Sequence, residues 1–418
     1  MLRILWVVAL ATPLFVPLAA QAASLITLDQ AIDLALASDP TVKASEAGTS
    51  ASLASLKQAG QLPNPTIGIT AENFGGTGSV SGLRSAEYTL SYGQMIEVGG
   101  DRSAREAVAS GDLKLANARL ATQRLETVQT VRHAYILALA SETKLKVVQE
   151  RASFISEMNR TVRQRSRQGR DSSMVESQAR ASAAEVAVDL MQAERAVKLS
   201  RIQLSTLWNG VDDGFVLDQA FFEKPSFDAD ALPVDQGYPD LAQYNALKSR
   251  ATANIALEKA RAIPDPEISA GIRRFASGSE TAFIVGLSIP FPVYDSNRNN
   301  IERAQSERLQ ADLEEVAARR DINLKLASAV AGHDSARAEI EALRADAIPQ
   351  ATQALELARS GYERGAFSYL EIADASRGLN ALRERLVGAL QTLHENQITI
   401  DRLTGRSAIT DKGEGYRP

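Results

Sequence analysis

The chain has 418 residues, with 46 Lys and Arg against 51 Asp and Glu and a formal net charge of −5. Three His and no Cys exclude thiol nucleophiles, disulfides and Cys-ligated metal sites. The mildly acidic balance gives no general electrostatic footprint for nucleic acid.

In chain order, residues 1–22 read as a signal peptide. Arg3 supplies the positive start, the apolar run from Ile4 to Ala19 is broken only by Thr12, Pro13 and Pro17, and Ala20-Gln21-Ala22 is a small-x-small cleavage pattern. Cleavage before Ala23 implies an exported protein: periplasmic, secreted or an outer-membrane β-barrel. No later stretch has about 18 consecutive apolar residues, so no spanning helix is expected.

A helix is expected over about 28–60, followed by a β-hairpin. Ile67, Ile69 and Ala71 alternate with polar or small residues, as do Tyr88, Leu90 and Tyr92, and the loop Gly75-Gly76-Thr77-Gly78-Ser79 lies between them. No Pro occurs between Pro65 and Pro225, and Gly111 is the only Gly from Asp101 to Gln168. This spacing predicts a helix over 101–168, a rod of about 100 Å at 1.5 Å per residue. Its apolar stripe is Leu120, Leu125, Val128, Val131, Tyr135 and Leu139. A turn at Gly169 leads to a helix over about 171–209, and residues 210–238, with Pro225, Pro233 and several Asp, read as a linker.

The pattern then recurs. Gln61-Leu62-Pro63-Asn64-Pro65-Thr66-Ile67 matches Ala262-Ile263-Pro264-Asp265-Pro266-Glu267-Ile268, Val98–Arg102 matches Tyr294–Arg298, and Gly169 matches Gly365. Three matches in one order define a duplicated unit. The first repeat spans 23–209, the second 239–405, and 406–418 is a C-terminal tail. The second repeat predicts a helix over 239–262, strands around Ile268–Ile272 and Phe283–Ile289, a helix over 299–361 with a kink or break at Pro349, a turn at Gly365 and a helix over 366–404. In each repeat the two shorter helices together match the long one, which predicts that they stack end to end beside it.

Four strands of about ten residues are long enough to span an outer membrane when tilted. Period-2 alternation alone equally fits the edge of a soluble sandwich. Four strands cannot close a barrel, and lipid does not tolerate an open edge, so a membrane reading demands an oligomer; three chains give 12 strands. Tyr88 and Tyr92 read either as an interfacial aromatic belt or as ordinary strand formers. His133, His333 and His394 read as surface or packing residues. No catalytic constellation stands out, and Gly75-Gly76-Thr77-Gly78 lacks the Lys and the following helix of a phosphate loop.

The sequence resembles the outer membrane efflux protein (TolC) family over nearly the whole mature chain. The duplicated Pro-x-Pro before a strand, Val98-Gly99-Gly100-Asp101-Arg102 and Tyr362-Glu363-Arg364-Gly365 carry the resemblance. Within the family, Glu72-Asn73-Phe74-Gly75-Gly76 and Gln94–Gly100 are most similar to cobalt–zinc–cadmium (heavy-metal RND) efflux components. The resemblance implies a mainly α fold with a membrane β-barrel: long helical hairpins forming a periplasmic α-barrel, plus four strands per chain that make a 12-stranded barrel in a homotrimer. It implies a passive, non-enzymatic duct with no cofactor, set in outer-membrane lipid. Its partners would be a periplasmic adaptor and an inner-membrane RND-type pump, with no nucleic acid. Drug efflux, type I secretion and a periplasmic coiled-coil adaptor are the alternative functions.

The resemblance also places the periplasmic entrance at Gln168–Ser172 and Tyr362–Ser368, which makes Gly169, Asp171, Tyr362, Gly365 and Phe367 the gate candidates. Phe367 stands where the family commonly has Arg, and Val175 where it has the opposing Asp, so closure is expected through apolar contact of Phe367 with Tyr362. Glu371 and Asp374 match acidic positions lining the tunnel. Three residues apart on a helix, they share a face, either as two pore rings in a trimer or as an ordinary solvated surface.

Overall fold

The structure, a computed structural model, describes residues 25–210, 214–224 and 238–406. The expected signal peptide and all of the C-terminal tail except Arg406 lie outside the described residues, as do Pro225 and Pro233.

Strand β1 (Leu25–Ile26) leads into α1 (Leu28–Ser38), where Thr27 and Gln30 form a capping box. The single helix expected over 28–60 is in fact two. Asp39 precedes a proline and takes an extended backbone (φ −58°, ψ 117°), because the proline ring disfavours the helical region for that residue. Pro40 then opens α2 (Pro40–Ala59), and Asp39 caps it by accepting the Thr41 amide at 2.7 Å. Strands β2 (Thr66–Glu72) and β3 (Glu87–Met95) follow, then α3 (Asp101–Arg167) and α4 (Ser173–Thr206).

The expected linker carries structure. Its β4 (Val216–Leu217) pairs in parallel with β1, and α5 (Gln219–Glu223) follows. Phe215, Leu217 and Phe222 are buried in the main core, and Tyr135 of α3 ties the pair together. Its hydroxyl donates to the Ile26 carbonyl at 2.9 Å and accepts the Asp218 amide at 3.1 Å.

The second repeat comprises α6 (Leu241–Ala260), β5 (Glu267–Phe275), β6 (Thr281–Ser288), α7 (Arg298–Ala342), α8 (Ile348–Glu363) and α9 (Tyr369–Thr404). A π turn, Leu343–Ala347, joins α7 to α8 just before Pro349. Proline has no N–H and its ring crowds the preceding turn, and the wider π turn accommodates both. The kink expected at Pro349 is thus realised as a local widening of the helix.

The matched strand-to-helix junctions share a backbone conformation. Gly100 and Asn297, equivalent residues one position before α3 and α7, are both left-handed, at φ 81° and 59°. Helix α3 packs against α4 towards the tip and α2 towards the strands, and α7 and α8 pack against α6 and α9. Contacts of α3 with α6 and α9 join the repeats. Of the expected stripe, Val128, Val131, Tyr135 and Leu139 are buried, in a core shared by α1, α3, α5 and α9. A second core lies at the tip and a third, Ala104, Leu257 and Ala260, lies near the strands.

Gly111 marks a close approach of α3 to α6 of the other repeat. A Cβ there would lie 2.8 Å from Arg250 Cα and 3.2 Å from its amide nitrogen, both backbone atoms of α6. Elsewhere in a helix, Gly→Ala gains about 1 kcal/mol. Here overpacking costs about 1–3 kcal/mol, so Gly111→Ala is expected to lower the thermal midpoint of the helical circular dichroism signal. A raised midpoint would show that α6 moves aside freely.

Candidate functional site

Two regions sit at opposite ends of the helical rod. The first is a four-stranded antiparallel sheet in the order β2-β3-β5-β6. Its register decides what alternation alone left open. Ile67 pairs with Tyr92, Tyr92 with Ala270 and Ala270 with Val285; in the next row Ile69, Leu90, Ile272 and Phe283 align. Every apolar alternation therefore falls on one face. That face is open: Ile69 and Val285 are each 80% exposed and Phe283 is 84% exposed. Such a patch in water would be a large liability.

The opposite face carries Gly68, Thr70, Ser91, Gly93, Ser269 and Gly271, with charges confined to its ends. At the end away from the helices Arg273 donates to Glu72 at 2.8 Å, to Glu87 at 2.9 Å and to Thr89 at 2.9 Å. Within the described residues, β2 and β6 each keep one unpaired edge.

The second region is the helical tip. The turn after α3 places Gly169 at φ 70°, and the Arg170 amide donates back to the Arg165 carbonyl at 2.9 Å. The turn after α8 repeats this with Gly365 at φ 79° and the Ala366 amide on the Gly361 carbonyl at 2.8 Å. Both glycines close a helix in the left-handed conformation that costs other residues energy.

Between the two turns lies a polar cluster. Tyr362 is 1% exposed and donates its hydroxyl to Asp171 Oδ2 at 2.6 Å. Arg165 Nε donates to the same oxygen at 3.0 Å, and its Nη1 donates to the Tyr362 carbonyl at 3.2 Å. The guanidinium carbon sits 4.5 Å from the centre of the Tyr362 ring, in cation–π contact. Burial, and then the Asp171 carboxylate, push the Tyr362 phenol well above its ordinary pKa, so it stays a donor. Arg359 and Glu157 link the two hairpins again at 2.7 Å.

Within one chain, then, the contact that joins the two tip turns is polar. Phe367 lies over Gly361 instead, where a Cβ would collide with its ring, and it is 45% exposed. The structure brings Asp171 and Tyr362 together across 191 residues of sequence, and Gly169 and Gly365 shape the turns around them. Arg165 was not singled out by sequence, being one of five arginines from residue 160 to residue 170.

Glu371 is exposed and has a local role, accepting the Ser368 amide at 2.5 Å to complete the capping box of α9. Asp374 is exposed one turn further on, 3.4 Å from Arg377. His394 is buried, stacks on Phe222 and lies 3.1 Å from the Phe222 carbonyl, and burial pushes its imidazole pKa down. Among the described residues, no group of three His, Asp or Glu side chains is placed to hold a metal ion.

The outer membrane efflux protein family model matches residues 31–210 and 235–406. The cobalt-zinc-cadmium resistance protein CzcC of Cupriavidus metallidurans is 28% identical over 389 residues, covering 92% of this chain and 91% of the relative. The nickel-cobalt-cadmium resistance protein NccC of Alcaligenes xylosoxydans is 27% identical over 317 residues, covering 75% of this chain and 68% of the relative. The fold is that of the outer membrane protein VceC of Vibrio cholerae, with a TM-score of 0.77 at 20% identity, over 90% of this chain and 96% of the other. With most of both repeats matched, the chain belongs to the outer membrane efflux protein family: it is an efflux channel component of the outer membrane, with a periplasmic extension.

Proposed function

We propose that three copies of this chain form the outer-membrane duct of a tripartite efflux system and that divalent transition-metal cations are its cargo. One observation carries the reading: the sheet has a wholly apolar, exposed face over its central rows and an unpaired edge on each side. Lipid satisfies the face, and only neighbouring copies can satisfy the edges. The closed barrel is then continuous with the helical rods, which extend about 100 Å into the periplasm.

The chain does no chemistry on its cargo. An inner-membrane RND-type pump supplies the energy, and a periplasmic adaptor couples it to the tip. The metal cargo rests on the names of the relatives, which are cobalt, zinc, cadmium and nickel resistance proteins. A lone adaptor is disfavoured by the two helical hairpins and four strands. Detergent-extracted protein is expected to have the mass of three chains, and cells lacking it are expected to lose tolerance of cobalt, zinc and cadmium. A folded monomer, or unchanged tolerance, would overturn the reading.

In the resting duct, the Tyr362–Asp171–Arg165 lock holds the two hairpin tips of each protomer together. A hydrogen bond to a charged group contributes about 1.5–3 kcal/mol, so Tyr362→Phe is expected to raise the ratio of open to closed channels about ten- to a hundredfold. Arg165→Gln acts in the same direction. Single-channel recordings in planar bilayers read this ratio, and wild-type closure in both variants would remove the lock from gating.

Asp374, with Glu371 beside it, gives a trimer two rings of three carboxylates that favour cations. Glu371→Gln keeps the capping acceptor, so Glu371→Gln/Asp374→Asn tests charge without unwinding α9. Wild-type channels in a salt gradient are expected to show a cation-selective reversal potential, and the double variant one closer to zero. Identical potentials would make both residues ordinary surface charges.

A further inference from the structure

The lipid-facing side of the sheet is uncharged along its paired rows apart from one residue. Arg274 of β5 pairs in register with Tyr88 on one side and Thr281 on the other, in the row beyond Ile69, Leu90, Ile272 and Phe283. Its neighbour Arg273 points to the opposite face and takes up Glu72 and Glu87. Those two carboxylates are thus turned inward, and Arg274 is left exposed on the outward face with no ion pair among the described residues.

Arg274 also marks one boundary of the membrane. The helices leave the sheet at the other end, through Asp101 and Arg298, so the Arg274 end points away from the periplasm. From Thr281, its register partner, the exposed apolar residues Phe283, Val285, Leu287, Ile289 and Phe291 run towards the helices. The strand itself, Thr281–Ser288, covers about 23 Å at about 3.3 Å per residue, roughly 18 Å high at a strand tilt of about 40°, and Ile289 and Phe291 continue the exposed apolar row beyond it. With those two residues the row approaches the roughly 25 Å apolar belt of outer-membrane barrels, which puts Arg274 and Tyr88 at the outer interface. A strand Arg on the lipid face costs about 2–4 kcal/mol at mid-bilayer and almost nothing at the interface. Its stem can lie along the apolar surface while the guanidinium reaches the headgroups.

We infer that Arg274 binds a phosphate borne by a lipid headgroup in the outer leaflet, one site per protomer. The guanidinium fork matches phosphate oxygens, and Tyr88 beside it offers a second interfacial donor. The inference rests on the outer-membrane placement and supposes the trimer proposed above.

Native mass spectrometry of the full mature protein in detergent tests it, with diphosphorylated lipid A and its dephosphorylated form as probes. One basic residue near an anionic surface contributes about 1 kcal/mol, so Arg274→Gln is expected to bind the phosphorylated lipid about fivefold more weakly per site. Arg274→Lys is expected to keep most of the binding, and inorganic phosphate at equal concentration to leave it unchanged. Equal binding by wild type and Arg274→Gln, no preference for the phosphorylated lipid, or displacement by inorganic phosphate would each overturn the assignment. The same spectra report the trimer mass, so loss of the lipid site and loss of the assembly are read separately.

Discussion

A peptide group in hydrocarbon cannot leave its N–H or C=O unpaired, and the rest of this structure follows from that rule. Among the described residues the sheet has four strands and two open edges, at β2 and β6. Its own hydrogen bonds stop there, so the smallest complete object is larger than one chain. The helices obey the same logic. Packing sites such as Gly111 bring α3 and α6 close, and the tip core clamps α3, α4, α8 and α9, yet exposed apolar residues such as Leu309, Leu313 and Val316 of α7 still lack partners within the described residues. A rod of this length cannot bury its whole surface alone, and a ring of rods can.

The two halves share backbone features at matched positions and differ in their side chains. The left-handed residues at Gly100 and Asn297, and at Gly169 and Gly365, are held in common. The lock at the tip is not symmetric: Arg165 and Asp171 come from the first repeat and Tyr362 from the second. The π turn before Pro349 belongs to the second repeat among the described residues, since the matching stretch of α3 is continuous helix.

Much of this was legible in the sequence. Proline spacing showed where long helices could run, and period-2 alternation showed the strands. What alternation could not show was that all four apolar faces coincide, because that depends on register across β3 and β5, which lie in different repeats. The break at Asp39 was readable in principle, since a residue before proline avoids the helical region, but the favourable composition on both sides masked it. The structure within the expected linker was hidden because three apolar residues, Phe215, Leu217 and Phe222, act only once α3 and α9 surround them. Arg165 was illegible for a similar reason: its partner in the second repeat is 197 residues away, and its arginine neighbours look the same in one dimension.

The position of the π turn bears on how little movement the proposed gate requires. Helix α8 has 16 residues, so it is a lever of about 24 Å. A rotation of about 5° at its base displaces the far end by roughly 2 Å, taken from that same length. Tyr362 is held in the lock by hydrogen bonds at 2.6 and 3.2 Å, and such bonds are lost beyond about 3.5 Å. A bend of a few degrees in one helix is therefore enough to break both contacts together, while the membrane sheet and the core around Tyr135 stay as they are. Asp171 and Arg165 remain paired within the first repeat when Tyr362 leaves, so no charge is stranded during the movement. Because the contact joins an ion pair on one side to a neutral phenol on the other, the proposed opening separates no charges.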